Sequence, residues 1–418
     1  MFDKLFGINE ELLEMDKEIV DMCGPFFDAI DKTRDYNQLK VLKAFTENRV
    51  GAQHLGTSTG YGYGDAGRDL LDKVFADIAG AEDALCRQQF MSGTHAITVA
   101  LFGVLRAGDT LLAATGTPYD TLAGVIGLGP QSYGSLKEFG IGYEEVALKP
   151  DGEPDLDTIK AKAPAAKAVY IQRSRGYSKR RAFSCADIEA MAAAAKAANP
   201  NVIVMVDNCY GEFTEISEPT QHGADLIIGS LIKNPGGAVA ETGGYIAGRA
   251  DLVELCGHRL SVPGTGREIG CSPSGLRSLY LGLYMAPSVT AEALKSSVYS
   301  SAMFEKLGYG VSPRYTEPRC DIITTVDMKS EEGLACLCRA IQAASPIDSF
   351  AVPEAWDMPG YDSKVIMAAG AFTCGSSIEL SCDAPMKPPY TAYIQGGISL
   401  AASRYAFLKA AQLLGENE

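Results

Sequence analysis

Two apolar runs of the chain end in polar residues: VIVMVDNCY at residues 202–210 and LIIGSLIKNPGG at residues 226–237. Asp207 follows the first run directly, and Lys233 follows the second just before a glycine-rich turn. Continuous apolar runs of this length are typical of strands buried on both faces of a parallel sheet. Their separation suits one crossover between neighbouring parallel strands. We therefore expect Asp207 and Lys233 to lie at the same edge of a sheet.

Similar runs alternate with helical stretches along the middle of the chain. An Ala-rich stretch at 188–198 favours a helix that ends before Pro200. This alternation predicts an α/β fold with a mostly parallel central sheet covered by helices. We expect three parts: an N-terminal helical segment, a large domain that contains this central sheet and a smaller α+β C-terminal domain. Their predicted bounds are 1–50, 51–285 and 286–418.

Composition excludes several classes of protein. The chain has 418 residues and a net charge of −15, which argues against nucleic-acid binding. No apolar run approaches the roughly 20 residues of a membrane helix. The first residues show no basic segment followed by an apolar one, so we expect no signal peptide and a cytoplasmic protein. The 11 cysteines and 4 histidines are scattered, so we expect no metal site.

One motif points toward a dinucleotide site and is set aside. GYGDAG at residues 62–67 fits G-x-G-x-x-G. That fingerprint requires a strand immediately before it, and the preceding residues, QHLGTSTG, are not typical of a strand. A glycine-rich loop for a substrate or a phosphate is the better interpretation.

Two other segments offer groups for a flat, phosphorylated ligand. Ser92, Gly93 and Thr94 precede an apolar helix, where hydroxyls, free N–H groups and the helix dipole favour a phosphate. The plain alternative is an ordinary helix N-cap. Tyr119 follows the apolar run at 110–113, and an aromatic side chain at a strand end can stack on a ligand ring.

Asp207 and Lys233 complete this set. A carboxylate after a buried strand is costly unless a cation accompanies it, although a turn aspartate is the plain alternative. A desolvated lysine has a lowered pKa and can form a Schiff base, although most lysines are only solvated surface groups. An anion site, a carboxylate for a ring nitrogen, an aromatic side chain and a lysine for an aldehyde together predict pyridoxal 5′-phosphate as the cofactor.

The chain resembles a known family over most of its length. The likeness is to the methionine γ-lyase family, whose members are also called aluminium-resistance or cystathionine β-lyase-like proteins, within the fold-type I pyridoxal-phosphate enzymes. The segments that carry it are QRSRGY at 172–177, VDNCYGEF at 206–213, SLIKNPGG at 230–237 and PPYTAYIQGG at 388–397.

The resemblance implies a role for each predicted cofactor residue. Lys233 would bind the cofactor covalently, and Asp207 would keep the ring nitrogen protonated. Tyr119 would stack on the ring, and Tyr210 resembles the aminotransferase tyrosine that bonds the ring hydroxyl. The residues that would bind the phosphate are Ser92, Gly93, Thr94 and Ser230.

The resemblance also implies residues around the substrate. Tyr61 and Tyr63 are the nearest matches to a loop tyrosine that reaches the neighbouring subunit's site, and either could transfer a proton. The arginine that accompanies this tyrosine in the superfamily is not apparent here, and Ile232 stands where relatives carry threonine. Candidates for the substrate carboxylate are Arg173 and Arg175, with Arg404 as a weaker one.

We therefore expect a carbon–sulfur lyase that cleaves an amino acid of the cystathionine, methionine or cysteine type. β- or γ-elimination would release a thiol, a keto acid and ammonia. The alternatives are an aminotransferase or aldolase reaction with the same cofactor, favoured by Tyr210, or a non-catalytic protein of this fold. Because the family's sites are shared between subunits, we expect a homo-oligomer, at least a dimer and plausibly a homotetramer.

Overall fold

The computed structural model of the chain describes residues 1–129, 133–357 and 363–416. It has two compact units: Asn37–Met285, and Met1–Tyr36 together with Ala286–Glu418. The divisions fall within two long helices. Residues 1–36 of the expected N-terminal segment group with the C-terminal residues. The three parts expected from the sequence, 1–50, 51–285 and 286–418, stay a prediction.

Helices occur in both units. The Ala-rich helix predicted from the sequence begins after Ser184, whose hydroxyl accepts a hydrogen bond from the Asp187 N–H. The helices are α1 (Phe2–Phe6), α2 (Glu10–Glu47), α3 (Ala66–Ala79), α4 (Gly93–Val104), α5 (Asp120–Ile126), α6 (Leu156–Lys162), α7 (Cys185–Ala198), α8 (Ala250–Leu260), α9 (Arg277–Lys306), α10 (Glu331–Ala343) and α11 (Leu400–Gly415).

The strands of the described residues form two sheets, one in each unit. The strands are β1 (Asp83–Arg87), β2 (Thr110–Ala113), β3 (Gly142–Glu145), β4 (Ala168–Gln172), β5 (Ile203–Asp207), β6 (Leu226–Ser230), β7 (Gly244–Gly248), β8 (Gly310–Ser312), β9 (Ile323–Asp327), β10 (Val365–Ala369), β11 (Ser381–Pro385) and β12 (Thr391–Gln395).

The sheet of the larger unit has seven strands in the order β1-β7-β6-β5-β4-β2-β3. Neighbours from β6 to β3 pair in parallel, whereas β7 runs antiparallel to both β6 and β1. Buried aliphatic side chains of these strands pack against α4 and α8. The predicted α/β fold with a mostly parallel sheet is confirmed.

The register of the parallel strands places polar residues side by side at one edge. Gln172 at the end of β4 pairs with Asp207 at the end of β5, and Asp207 pairs with Ile228 in β6. Ser230 and Lys233 follow Ile228 at this edge. The crossover therefore brings Asp207 and the Lys233 turn to one edge, as the spacing predicts.

The other unit carries an antiparallel sheet in the order β10-β11-β12-β9-β8. Its core joins side chains of the N-terminal helices with those of α9, α10 and α11. Asp16 of α2 accepts hydrogen bonds from Tyr299 Oη (2.7 Å) and Arg404 Nε (2.9 Å). Arg404, the weaker candidate for the substrate carboxylate, is thus engaged with Asp16.

The sequence analysis did not predict β1, because this short strand begins and ends with charged residues, which are typical of the surface. Its last residue, Arg87, is nevertheless buried. Arg87 is 2% exposed, and its Nε lies 3.0 Å from both carboxylate oxygens of Asp72 in α3. Arg267 also contacts Asp72, and the Cys86 N–H donates to it at 2.7 Å. An ion pair inside the unit thus ties α3 to β1.

No helix among the described residues has the length and hydropathy to cross a membrane. Within the same residues, no group of three or more His, Cys, Asp or Glu side chains is placed to hold a metal ion.

We expect Arg87→Ala to lower the free energy of unfolding by about 3–5 kcal/mol, because the Asp72 carboxylate stays buried without its main cation. Urea unfolding followed by circular dichroism measures this loss. Lys73→Ala is the control, since Lys73 pairs with Asp77 at the exposed surface of the same helix, and we expect a change below about 1 kcal/mol. Equal losses in both variants would contradict the role of the buried pair.

Candidate active site

Asp207 lies buried at the carboxyl end of β5. Its Oδ2 accepts a hydrogen bond from Tyr170 Oη in β4 (3.2 Å), and its Oδ1 accepts one from the Cys209 N–H (3.1 Å). Burial raises the pKa of this carboxyl group, while the Lys233 charge and the hydrogen bonds oppose that rise. Such a group gains from a cation held against it, as the sequence predicts.

Lys233 stands in the turn that follows β6, partly buried. Its Nζ lies 4.1 Å from the centroid of the Tyr210 ring. Burial by itself lowers the pKa of Lys233, but the acidic side chains of Cys209, Tyr210 and Asp207 raise it, and the net direction is upward. The predicted lowering of this pKa was therefore wrong for the protein's own residues, because the sequence shows burial without showing which acidic groups stand near the amine.

The N-terminus of α4 meets the ends of β5 and β6. Ser92 is its N-cap, and its hydroxyl accepts a hydrogen bond from the His95 N–H (3.1 Å). A Cβ added at Gly93 would lie 3.3 Å from Ser230 Cβ and 3.4 Å from Cys209 Sγ. Glycine therefore lets the helix end approach the two strands closely, where its free N–H groups suit an anion.

Tyr119 precedes α5 and is tied to the site at both ends. Its Oη lies 3.0 Å from Thr94 Oγ1, and its N–H donates to Gln172 Oε1 (3.0 Å). Burial, together with the charge of Asp207, raises the pKa of Tyr119, so the phenol stays neutral. The structure thus brings Tyr119 and Thr94 to the edge where Asp207 lies.

Arg173 is a structural side chain rather than a free guanidinium. It is fully buried, and its Nη1 donates to Asn208 Oδ1 (2.6 Å) and to the Gly211 carbonyl (3.0 Å). Its Nη2 pairs with Glu215 (2.5 Å). Arg173 therefore braces the turn after β5, and its role at the substrate carboxylate stays a prediction.

Arg175 lies in the same loop and is buried, with 1% of its surface exposed. Its backbone carbonyl accepts hydrogen bonds from the N–H (3.2 Å) and the hydroxyl (2.6 Å) of Ser178. The loop begins at Gln172, which contacts the Tyr119 N–H. Arg175 is thus a predicted arginine in a loop that adjoins the site.

Tyr61 and Tyr63 are exposed and stack on each other, with ring centroids 5.5 Å apart. Their loop is not preceded by a strand, which agrees with setting aside the dinucleotide motif. Arg68 holds the loop from inside, since its Nη1 donates to the carbonyls of Gly62 (2.9 Å) and Gly270 (3.0 Å). The arginine of this segment is therefore buried, while the two tyrosines face outward.

Three side chains of the site escaped the sequence reasoning. Tyr170 supports Asp207, Gln172 fixes Tyr119, and Asn234 Nδ2 donates to the carbonyls of Tyr210 and Glu212 at 3.0 Å each. Tyr170 interrupts the aliphatic run of β4, and its hydroxyl could have indicated a hydrogen bond to a buried polar group. Nothing in the pattern distinguishes Asn234 from an ordinary turn residue.

The similarity of the chain to known proteins shows its family. A family model described as methionine gamma-lyase matches residues 12–414 of the chain. The chain belongs to the methionine γ-lyase family. A protein of Bacillus subtilis, uncharacterised protein YnbB, is 45% identical over 100% of both chains.

Two further similar proteins extend the comparison. The crystal structure of a carbon–sulfur lyase involved in aluminium resistance from Clostridium novyi NT has 46% sequence identity and a TM-score of 0.95, over 99% of this chain and 98% of that one. L-methionine γ-lyase of Pseudomonas putida is 30% identical over 44% of this chain and 42% of its own. As a family member the protein is a pyridoxal-phosphate-dependent carbon–sulfur lyase. The predicted family, cofactor and enzyme class are confirmed.

The residues present fit pyridoxal 5′-phosphate. Gly93 leaves room at the α4 N-terminus, and Ser230 places a buried hydroxyl beside it. Asp207 supplies a buried carboxylate for a ring nitrogen, and Lys233 supplies an amine for an aldehyde. These groups match the chemistry that the cofactor needs.

We expect Tyr170→Phe to weaken binding of pyridoxal 5′-phosphate roughly two- to tenfold, because Asp207 loses a hydrogen bond of about 0.5–1.5 kcal/mol. Absorbance titration of the cofactor-free protein measures the dissociation constant. Tyr36→Phe removes an exposed hydroxyl instead and should leave the constant unchanged. A dissociation constant for Tyr170→Phe equal to that of the wild type would sink this role.

Proposed function

We propose that this protein cleaves the carbon–sulfur bond of a sulfur-containing amino acid, releasing a thiol, a keto acid and ammonia. The substrate would be of the cystathionine, methionine or cysteine type. The observation that supports this most is the meeting of Asp207, Lys233 and the α4 N-terminus at one edge of the sheet. The family of the chain supports the same reaction class.

The cofactor, when bound, supplies an aldehyde for amines and an electron-withdrawing ring. Asp207 would hold a proton on the ring nitrogen, and Tyr119 would lie against the ring face. Ser92, Gly93, Thr94 and Ser230 would bind the phosphate through hydroxyls and N–H groups. Tyr210 would keep the Lys233 amine in place, since its ring lies directly against Nζ.

Lys233 would also transfer the proton of the reaction. Its Nζ would remove the proton from the α-carbon of the substrate and return it later, as a general base and then a general acid. γ-Elimination needs a further proton transfer at the β-carbon, whereas β-elimination does not. Lys233, or Tyr61 or Tyr63 of a neighbouring copy, would serve, so both outcomes belong to the proposal.

Arg175 would bind the substrate α-carboxylate, since its buried side chain stands in the loop that adjoins the site. A guanidinium binds a carboxylate through two parallel hydrogen bonds. The loop of Arg175 starts at Gln172 beside Tyr119, which favours this arginine over others of the chain.

The proposal includes assembly and location. Tyr61 and Tyr63 are exposed aromatic side chains on a loop held by Arg68, which suits contact with a second copy. We propose a homo-oligomer, a dimer or a homotetramer, that works in the cytoplasm.

We expect Lys233→Ala to abolish keto-acid and thiol release from a panel of L-methionine, L-cystathionine and L-cysteine, since the general base is lost. Lys160→Ala, an exposed lysine of α6, is the control and should keep wild-type rates. Amino-group transfer to an added keto acid without thiol release would indicate an aminotransferase instead. Undiminished turnover by Lys233→Ala would overturn the assignment.

We expect Arg175→Lys to raise KM at least about tenfold with a smaller effect on kcat, because the bidentate contact with the carboxylate is lost. The cofactor absorbance should stay at the wild-type wavelength, which shows that the variant is folded. An unchanged KM would remove Arg175 from the substrate site.

A further inference from the structure

Glu212 is a buried carboxyl group that the proposed reaction does not use. It lies five residues beyond Asp207, in the turn after β5, and only 3% of its surface is exposed. Its Oε1 lies 2.7 Å from Tyr245 Oη in β7. Its Oε2 is also buried and has no hydrogen-bond partner among the residues that the structure describes.

The pair of Glu212 and Tyr245 lies behind β6, on the face opposite the predicted cofactor residues. A Cβ added at Gly229 would lie 2.6 Å from Tyr245 Oη and 2.7 Å from Glu212 Oε1. The next residue, Ser230, points its Cβ toward Gly93 at the α4 N-terminus. Successive residues of a strand face opposite sides, so Gly229 provides the space that the pair occupies.

The surroundings favour the neutral form of Glu212. Burial raises the pKa of this carboxyl group to about 8, the nearby Glu218 also raises it, and Tyr245 and Lys233 oppose the rise. Phe75 and Ile78 of α3 add apolar contacts at the same place. The cavity there has a volume of about 10 Å³, room for at most one water molecule.

Asn234 connects this group to the lysine. Its side-chain amide donates to the carbonyls of both Glu212 and Tyr210, and it directly follows Lys233 in the chain. Tyr210 adopts a positive φ of 72°, and its ring lies against the Lys233 amine. A shift of the Glu212 backbone would therefore reach Lys233 by two routes. One is Asn234, the next residue of the chain, and the other is Tyr210, whose ring contacts the lysine amine.

We propose that Glu212 is a positioning residue for Lys233: its neutral carboxyl group, paired with Tyr245 behind β6, holds the turn that carries the lysine. When Glu212 ionises, its carboxylate is destabilised by burial, so the turn shifts to hydrate it. Lys233 then no longer has a fixed position. This inference rests on the proposed role of Lys233 in cofactor binding and deepens it.

Glu212→Gln tests the proposal, because the amide keeps the shape and cannot ionise. Glu254→Gln is the matched control, since Glu254 is an exposed glutamate of α8. Tyr245→Phe is the third variant: it removes the hydrogen bond that opposes the rise in the pKa of Glu212, so it should move any Glu212 titration to higher pH.

The first measurement is the melting temperature of the cofactor-free proteins against pH. The pKa of Glu212 is raised from 4.5 to about 8 on folding. The stabilisation from protonated Glu212 is then complete below 4.5, declines as the pH rises and is gone above about 8. We expect wild type and Glu254→Gln to fall progressively below Glu212→Gln over this window. In Tyr245→Phe the decline should end at a higher pH. Parallel melting curves for wild type and Glu212→Gln would overturn the proposal.

The second measurement is the dissociation constant of pyridoxal 5′-phosphate against pH. Above about pH 8 we expect the wild-type affinity to fall more steeply than that of Glu212→Gln, by up to about tenfold per pH unit. The same pH dependence in both proteins would overturn the link to Lys233. If no protein bound the cofactor at any pH, the proposed function would fail, and divergent melting curves would separately support a buried, neutral Glu212.

Discussion

A carboxylate buried at a strand end is stable when hydrogen-bond donors and a cation accompany it, and this requirement governs the arrangement around Asp207. Tyr170 and the Cys209 N–H donate to its two oxygens, and Lys233 supplies the positive charge nearby. The parallel register of β4, β5 and β6 brings these groups to one edge. In the proposed function, a cofactor with a protonated ring nitrogen would supply a further cation for this buried carboxylate.

Polar side chains lie on both sides of the sheet near β6. In front of β6, Ser230 meets the α4 N-terminus through Gly93. Behind it, Glu212 and Tyr245 occupy the space that Gly229 leaves open. Asn234, the residue after Lys233, donates hydrogen bonds to the carbonyls of Tyr210 and Glu212 in the turn after β5. The position of Lys233 thus depends on groups from β5, β6 and β7 together.

The fold and the centre of the site could be predicted because they follow from local patterns. Apolar runs that end in Asp207 and Lys233 indicate strands and their common edge, without any knowledge of pairing partners. Roles that depend on partners distant in the sequence could not be predicted. Arg173 and Arg175 look alike in the loop, yet the structure commits Arg173 to Asn208 and Glu215. Both the rise in the pKa of Lys233 and the burial of Arg87 depend on acidic groups that folding brings near. For Lys233 these are chiefly the Cys209 thiol and the Tyr210 phenol, with the Asp207 carboxylate, and for Arg87 the group is the Asp72 carboxylate.

The most direct test of the account is borohydride reduction of the protein loaded with pyridoxal 5′-phosphate, followed by peptide mass spectrometry. Reduction makes the bond between the cofactor and an amine permanent, so it marks the lysine that holds the aldehyde. The account predicts the cofactor on the peptide that contains Lys233 and on no other lysine. A label on a different lysine, or no label on a protein that remains folded, would contradict the central role of the Asp207–Lys233 edge.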